Sequence, residues 1–201
     1  MKQQGKFDQA REYYLKAIEL GNTNAIVNYA SMLFQEGKIV EAKEYFKKAA
    51  DLGETEAMHY YASIIRIDGK TEEAKDYFKK AADLGNAPSI NNYAFLLHQQ
   101  GETEKAKEYF KRGADLGNPD SIQNYAMLLY QQGEIEKAKE YFKKGADLGN
   151  PDSIHSYSTV LFNQNNLQEG KKYLKKAVDL GHKQSIKLFN ELKEKKILLD
   201  D

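Results

Sequence analysis

Four histidines are the side chains of this 201-residue chain best suited to hold a metal or to transfer protons near neutral pH: His59, His98, His155 and His182. None of them stands in a His-x-x-x-His or His-Glu-x-x-His pattern, which would bring two imidazoles together on one helix face. His59 and His155 occupy the same phase of a repeating pattern, three repeats apart. We therefore expect that no two histidines share a metal ion and that each is a polar residue on a helix face.

The sequence contains few other groups for catalysis. It has no cysteine, which excludes thiolate nucleophiles, disulfides and cysteine-ligated metal sites. Carboxylates are abundant, but no glycine-rich phosphate loop, nucleophile elbow or triad arrangement accompanies them. We predict a non-enzymatic protein with no catalytic residue, no metal site and no cofactor.

The net charge of the chain is zero, because 30 Lys and Arg residues balance 30 Asp and Glu residues. Proteins that bind nucleic acids or anionic membranes concentrate positive charge, so neither kind of partner is expected. The longest apolar stretches are far shorter than the roughly 20 residues of a membrane span, and the first residues lack the apolar core of a signal peptide. These features predict a cytoplasmic protein that does not associate with a membrane.

An internal repeat organises the whole sequence. The triplet Asp-Leu-Gly recurs every 32 residues from Asp51 to Asp179, and Glu19-Leu20-Gly21 is its first copy. No linker interrupts the pattern. We predict one continuous array with a half repeat at 1–21, full repeats at 22–53, 54–85, 86–117, 118–149 and 150–181, and a C-terminal capping helix at 182–201.

Each repeat contains two predicted helices, which we name A and B in chain order. In the repeat 118–149, apolar residues recur at intervals of three and four residues, the helical period. Helix A is predicted from Pro119 to Gln132 behind an Asn118 cap, and Gly133 should end it in a left-handed conformation. Helix B is predicted from Ile135 to Leu148 and should end at Gly149 in the same way. The whole chain then has twelve helices and no strand.

Residues at equivalent positions of successive repeats are similar in size. Small residues would let the helices approach closely, and aromatic residues would fill the space between repeats. The small positions are Ala30, Ala62, Ala94, Ala126 and Ser158, with Ala42, Ala74, Ala106, Ala138 and Gly170. The aromatic positions are Tyr29, Tyr61, Tyr93, Tyr125 and Tyr157; Tyr45, Tyr77, Tyr109, Tyr141 and Tyr173; and Phe46, Phe78, Phe110 and Phe142. We predict that these residues form the packing core rather than a binding site.

The spacing of six residues in one repeat resembles the tetratricopeptide pattern: Ala126, Leu129, Gly133, Ala138, Phe142 and Gly145. The segment that joins consecutive repeats, for example KKAADLGETEAMHYYA, is instead similar to the Lys-Ala-Ala…Gly junction of Sel1-like repeats. The chain is thus identified as a member of the Sel1-like and tetratricopeptide superfamily. This resemblance implies an all-α fold, a right-handed α-solenoid of helix-turn-helix repeats that binds other proteins.

In solenoids of this superfamily the A helices line the concave side, so the resemblance places a binding surface there. The A helices carry amide, hydroxyl and aromatic side chains where the B helices carry charges, a composition typical of an interface core. The candidate partner-binding residues are Asn28, Phe34, Tyr60, Arg66, Asn92, Phe95, His98, Asn124, Met127, Tyr130 and Phe162.

Two positions of the A helix suggest different roles in recognition. One position is nearly uniform, with asparagine in three repeats, and an asparagine side chain can both donate to and accept from the backbone of an extended peptide. A second position, about two turns later, varies and could select among peptides; its residues are Phe34, Arg66, His98, Tyr130 and Phe162. Arg66 would favour an acidic partner residue.

The leading functional hypothesis is an adaptor or scaffold that holds a peptide or protein in the concave groove. The alternative is an RNA-binding helical-repeat protein, in which two or three side chains of each repeat read one base. Zero net charge and the scarcity of Lys and Arg on the A helices argue against RNA, because its phosphates attract cationic side chains. The sequence therefore favours the adaptor.

The two chain ends are predicted to differ. After Gly5, a B helix from Phe7 to Leu20 should present an apolar edge, and we expect this end to be either a truncation of the array or an edge through which the chain associates. A final A helix from Lys183 to Leu199 should cap the array, with Ile186 and Phe189 turned inward.

Charged residues of the B helices suggest two local interactions. Glu140 stands four residues before Lys144, an order that favours an ion pair worth about 0.2–0.5 kcal/mol on the outer face. Asp115 of the Asp-Leu-Gly triplet is badly placed for the dipole of its own helix. We expect its carboxylate to satisfy the N-terminus of the following helix instead.

Overall fold

The computed structural model describes residues 2–195, with side chains from residue 9 onward. Within these residues every regular element is an α-helix, and the twelve helices confirm the predicted all-α helix-turn-helix class. They are α1 (Lys2–Glu19), α2 (Thr23–Gln35), α3 (Ile39–Asp51), α4 (Thr55–Ile67), α5 (Thr71–Asp83), α6 (Ala87–Gln99), α7 (Thr103–Asp115), α8 (Pro119–Gln131), α9 (Ile135–Asp147), α10 (Pro151–Asn163), α11 (Leu167–Asp179) and α12 (Lys183–Glu194). The even-numbered helices are A helices and the odd-numbered ones are B helices. In the described part of the chain, none is long and apolar enough to cross a membrane.

The helices form two compact units. Helices α1 to α6 belong to the first unit, which ends at Gly101, and α7 to α12 belong to the second, which begins at Glu102. Within each unit every helix packs against the next one along the chain. The apolar faces are therefore buried between stacked hairpins, as the resemblance to repeat proteins implied.

Local signals in the sequence set the helix ends. Asn118 caps α8, because its side-chain oxygen accepts a hydrogen bond from the backbone N–H of Ser121 at 2.8 Å. Gly133 ends the same helix with φ 80°, the left-handed conformation predicted for it. Asn165 takes the equivalent turn position in the next repeat with φ 60°, since asparagine tolerates this region better than other residues with a side chain.

The predicted small positions, the A-helix tyrosines and the B-helix phenylalanines form the core of each unit, whereas the B-helix tyrosines are half-buried. Phe46 and Phe78 in the first unit, and Phe110 and Phe142 in the second, are at most 2% exposed. Tyrosines of the A and B helices meet edge to face within a hairpin, with ring centroids 4.7–4.9 Å apart. These pairs are Tyr29–Tyr45, Tyr61–Tyr77, Tyr125–Tyr141 and Tyr157–Tyr173. Such pairs add about 0.5–1.5 kcal/mol to the effect of burial, so they fix the angle between the two helices.

Polar contacts with a fixed offset of 25 residues join a B helix to the end of the next A helix. In the first unit Arg11 pairs with Glu36 at 2.7 Å. In the second unit the ammonium of Lys139 donates to the side-chain oxygen of Gln164 at 2.6 Å. These groups are exposed or half-buried, so each contact contributes at most about 1 kcal/mol. Their regular spacing helps to set the register of neighbouring hairpins.

Two predicted interactions of the B helices are wrong. The carboxylate of Asp115 pairs with Lys111, four residues earlier, at 2.7 Å, because an asparagine already caps the following helix. Lys144 does not pair with Glu140. Its ammonium donates instead to the carbonyl of Ala114 in the last turn of α7, at 3.1 Å, where a cation complements the negative end of the helix dipole.

The limits of the terminal helices also differ from the prediction. Helix α1 begins at Lys2 and runs through Gly5, since glycine tolerates a helical conformation at a cost of about 1 kcal/mol relative to alanine. The predicted continuation of α12 to Leu199 lies outside the described residues, as does the side chain of Phe7 in the predicted apolar edge. Ile186 is 38% exposed rather than turned fully inward, because α12 packs mainly against α11.

Buried serines at the start of an A helix bond to the A helix of the preceding repeat. Each serine is fully buried, so a hydrogen-bond partner is needed to offset the loss of its hydration. The contacts are Ser89–His59 at 3.1 Å, Ser153–Gln123 at 2.9 Å and Ser185–His155 at 2.9 Å. Each one spans 30 residues of the chain and so couples consecutive repeats.

The B-helix residue eight positions before each serine depends on which A-helix side chain the serine bonds to. It is alanine where the partner is histidine, at Ala81 and Ala177, and glycine where the partner is glutamine, at Gly145. A Cβ added to Gly145 would lie 2.2 Å from Oγ and 2.7 Å from Cβ of Ser153, so the serine could not keep its position. The equivalent positions of the first full repeat carry an apolar set instead: Val27, Ala49 and Ala57.

Gly145→Ala should therefore destabilise the protein by about 1–3 kcal/mol through overpacking, although alanine is the better helix former by about 1 kcal/mol. The free energy of unfolding in urea measures the effect. The control is the triple variant Gln123→Val/Gly145→Ala/Ser153→Ala, which transplants the apolar set and should recover most of the loss. A single variant as stable as the wild type would contradict the close packing at Ser153.

Acid should weaken the protein through two half-buried histidines. Burial lowers the pKa of His59 and of His155 below the ordinary value of 6.5, and the nearby His182 adds to the effect at His155. As the pH falls below about 6.5, the unfolded chain binds protons that the folded chain does not, so the free energy of unfolding decreases. His59→Asn/His155→Asn, which copies Asn91 of α6, should reduce this decrease. Urea unfolding at about pH 7.5 and about pH 5.5 tests it, and an equal decrease in both proteins would refute the assignment.

Candidate functional site

All of the sequence-predicted site residues lie on A helices, and none is fully buried. Those on the exposed surface are Asn28, Phe34, Arg66, Phe95 and Met127, and those that are half-buried are Tyr60, Asn92, His98, Asn124, Tyr130 and Phe162. Because the chain forms two units, the first unit holds seven of them and the second holds four. Each unit therefore has its own candidate surface.

The second unit contains a groove of about 410 Å³ on its A-helix face. Helices α8 and α10 form its two sides, α9 contributes to its floor and α12 closes one end. Its lining residues are Gln123, Asn124, Met127, Tyr130, Phe142, Asp152, His155, Ser156, Thr159, Val160 and Gln184. The volume falls in the range of about 300–1,000 Å³ typical of ligand pockets. We call this cavity the α8/α10 groove.

The end of the α8/α10 groove that lies toward the helix N-termini is polar and ordered by hydrogen bonds. Gln123 donates through Nε2 to Oγ of Ser156 at 3.1 Å and accepts from Ser153 at 2.9 Å. Thr159 donates to the backbone carbonyl of His155 at 3.0 Å. These bonds hold the side chains in defined orientations, so the polar end is preorganised for a ligand.

The opposite end of the groove is apolar. Met127 and Tyr130 of α8 lie beside Phe142, which forms the floor, and the rings of Tyr130 and Phe142 have centroids 6.4 Å apart. The hydroxyl of Tyr130 accepts from Nδ2 of Asn163 at 3.4 Å. Aromatic and methionine side chains in such a recess are typical anchors of peptide recognition.

Phe162 does not line the α8/α10 groove, although it occupies the same repeat position as Tyr130. A Cβ added to Gly170 of α11 would lie 3.1 Å from two atoms of the Phe162 ring. The ring therefore fills the space that a side chain at position 170 would need. The Phe162 ring thus packs against α11 within its own hairpin, and its role as an aromatic anchor stays a prediction.

Two histidines meet at the polar end, although each of them was expected from the sequence to be a separate polar residue on a helix face. The rings of His155 and His182 have centroids 4.9 Å apart, and the Nδ1 atoms of both lie within 2.9 Å of Oγ of Ser185. His182 occupies the N-cap position of α12, where the other A helices of this unit carry asparagine. The sequence prediction missed the pair because a cap residue lies beyond the periodic helix face.

The same cluster contains the residue types of a hydrolase triad. Oγ of Ser185 lies 2.8 Å from Nδ1 of His182, and Nε2 of His182 lies 3.0 Å from Oδ1 of Asp152. Ser185 has no exposed surface, so its hydroxyl cannot reach a substrate. Within the described residues no group of three His, Cys, Asp or Glu side chains could hold a metal ion. The buried hydroxyl therefore lies between the two imidazoles and fixes their orientation.

The candidate surface of the first unit is an aromatic cluster on α2 and α4. Tyr60 stacks on the buried ring of Phe46 with centroids 4.9 Å apart, and Phe34 lies 6.3 Å from Tyr60. Phe34 is 41% exposed, so this cluster presents an apolar patch to solvent.

Polar candidates of the first unit have side chains available for a partner. Within the described residues, the side chains of Asn28, Asn92 and Arg66 make no hydrogen bond or ion pair. Nδ1 of His98 is buried and also has no partner in the same residues. This surface therefore has unused donors and acceptors next to its aromatic patch.

Several lining residues of the α8/α10 groove were not among the sequence-predicted site residues. Phe142 was assigned to the core, and it is both a core residue and the groove floor. Asp152 and Gln184 stand in the first turns of α10 and α12, 32 residues apart. Their equivalent repeat position is the sequence feature by which they could have been selected. Nothing in the sequence, however, shows that first-turn residues reach the groove.

The match to known families covers most of the chain. Tetratricopeptide repeat models match residues 2–57, 87–116 and 119–148, and the Sel1 repeat model matches residues 55–86 and 163–182. Both families thus match the same array, as the mixed repeat junctions predicted. No curated protein sequence matches the chain at a significant level.

Solved structures share the fold at low sequence identity. The chain is similar to c5321, a protective antigen of uropathogenic Escherichia coli with an SLR fold, at 19% identity and a TM-score of 0.83, over 90% of this chain and 43% of c5321. It is also similar to a Sel1 repeat protein from Oxalobacter formigenes at 21% identity and a TM-score of 0.71, over 83% of this chain and 75% of the other. A third is YrrB, a tetratricopeptide repeat protein with an unusual peptide-binding site, at 21% identity and a TM-score of 0.60, over 90% and 99% of the two chains.

The repeat matches, the shared fold and the stacked two-helix hairpins agree with one another. The alternation of tetratricopeptide and Sel1 matches along the chain places it between the two named repeat types. The chain belongs to the superfamily of tetratricopeptide and Sel1 repeat proteins.

Proposed function

We propose that this protein is a non-enzymatic adaptor that binds a peptide segment of a partner protein through its A helices. The α8/α10 groove is the docking site in the second unit. The observation that carries the proposal is the groove itself, which has an apolar end at Tyr130 and, opposite to it, a hydrogen-bonded polar end at His155. Proteins of this repeat superfamily are generally interaction scaffolds, and YrrB is a tetratricopeptide repeat protein with an unusual peptide-binding site.

The groove matches the size and chemistry of a short peptide segment. Its volume of about 410 Å³ admits two or three side chains rather than a folded surface. The apolar end takes one hydrophobic side chain against Met127 and Phe142, and the amides of Gln123 and Asn124 lie where the peptide backbone would run. No Lys or Arg lines the groove. RNA is therefore a poor candidate ligand, because its phosphates bind cationic side chains.

Tyr130→Ala should weaken binding of a groove-dependent peptide about tenfold or more, because the substitution removes the aromatic wall of the apolar end. Peptides are first selected on an array with the intact chain and then titrated by calorimetry. The matched control is Tyr13→Ala, since Tyr13 is 74% exposed on α1 and lies outside the groove. Equal affinity of the two variants for every selected peptide would rule out the α8/α10 groove as the docking site.

The first unit contributes a second contact surface in this proposal. The amides of Asn28 and Asn92 bind the peptide backbone irrespective of its sequence, while Phe34 supplies an apolar contact. Arg66 has a guanidinium with no partner among the described residues and therefore selects an acidic residue. Non-selective and selective contacts then lie on separate positions of the same helices.

Substitutions at these positions should distinguish sequence-independent binding from selection among peptides. Asn92→Ala should weaken all bound peptides to a similar degree, whereas Arg66→Ala should weaken acidic peptides about two- to fivefold and leave neutral ones unchanged. Binding of one acidic and one neutral peptide to each variant measures the difference. If Arg66→Ala weakens both peptides alike, the guanidinium does not set the preference.

A further inference from the structure

Asp152 gives the polar end of the α8/α10 groove a negative character. One of its carboxylate oxygens accepts from Nε2 of His182 at 3.0 Å, and the side chain is 64% exposed. The second oxygen is therefore open to solvent and to a ligand. Among the residues that line the groove, no lysine or arginine neutralises this charge.

The hydrogen bonds around Ser185 determine which nitrogen of His155 carries its proton. The backbone N–H of Ser185 donates to Nδ1 of His182 at 3.2 Å, so that atom is an acceptor and Nε2 of His182 holds the proton that reaches Asp152. Because this Nδ1 can only accept, the hydroxyl of Ser185, whose Oγ lies 2.8 Å from it, must be the donor in that contact. Its oxygen must then accept from His155, whose Nδ1 lies 2.9 Å away.

His155 consequently presents a lone pair to the groove. With the proton on Nδ1, the unprotonated Nε2 is an acceptor, and it has no hydrogen-bond partner among residues 9–195. Burial lowers the pKa of His155, which keeps the ring neutral at physiological pH. Asp152 and His155 are three residues apart on α10, so both acceptors lie on one face of the helix.

We propose that the polar end of the α8/α10 groove binds the cationic side chain of a lysine or arginine in the partner peptide. The charged head lies between the carboxylate of Asp152 and Nε2 of His155, and the alkyl stem runs toward Met127 and Tyr130. A hydrophobic residue next to the cation occupies the apolar end. This inference rests on the proposed function and adds the charge of the partner to it.

Three hexapeptides test the inference: Gly-Ser-Leu-Lys-Ser-Gly and its counterparts with glutamine or glutamate in place of lysine, all with blocked ends. Titration into the isotope-labelled full chain is followed by NMR shifts at Asp152, His155 and Tyr130. The lysine peptide should bind about two- to fivefold more tightly than the glutamine peptide, the range for a partly exposed ion pair. The glutamate peptide should bind more weakly than both.

Asp152→Asn should remove the preference for lysine over glutamine. The matched control is Asp120→Asn, because Asp120 occupies the same first-turn position in α8 but does not line the groove. Equal affinities of the wild type for the lysine and glutamine peptides, with shifts still at Tyr130, would overturn the cation site alone. An absence of shifts at Met127 and Tyr130 with all three peptides would overturn the proposed groove as well.

Discussion

Each hairpin in this protein consists of two short helices, typically 13 residues each, which are marginal in water on their own. Their stability comes from burial against the neighbouring hairpins of the same unit. Phe142, for example, is 1% exposed only because α8 and α10 pack on both sides of α9. This dependence of every repeat on its neighbours explains why side-chain size is nearly constant at the packing positions.

The same dependence leaves part of each A helix free to vary. Arg66, for example, is exposed on α4, so a substitution there changes the surface with little effect on the core. The buried serines are the exception on these helices. Ser153 and Ser185 bond to side chains that themselves line the α8/α10 groove, and so the packing of the repeats and the orientation of the groove are coupled.

The fold was predictable because its signals are local. The predicted limits of α8 and α9 differ from the structure by one residue at the C-terminal end, since asparagine caps and left-handed glycines act within one turn. Gly5 shows the limit of such signals, because a glycine marks a helix end only where the chain must turn. The face that carries the candidate residues follows from the helical period in the same way.

The residues that line the α8/α10 groove could not be predicted, because the direction of each side chain depends on the helices packed against it. Tyr130 and Phe162 stand at equivalent positions, but α9 carries Ala138 where α11 carries Gly170, and the missing side chain at Gly170 leaves room for the Phe162 ring. The contact of His155 with His182 likewise requires the placement of α12 against α11. These outcomes depend on pairs of residues from different helices, whereas a periodic pattern describes each helix separately.

Each buried serine, its A-helix partner and the B-helix residue eight positions before the serine form a set whose members depend on one another. Such sets determine where one repeat could be exchanged for another without loss of packing. The set Gln123, Gly145 and Ser153 begins inside α8 and ends inside α10. Recombination at the turn after Gly149 would separate the glycine from the serine that requires it and could place an alanine beneath that serine. A crossover just before His155 would keep every such set whole. A complete packing set therefore begins in the middle of an A helix, out of phase with the hairpins seen in the fold.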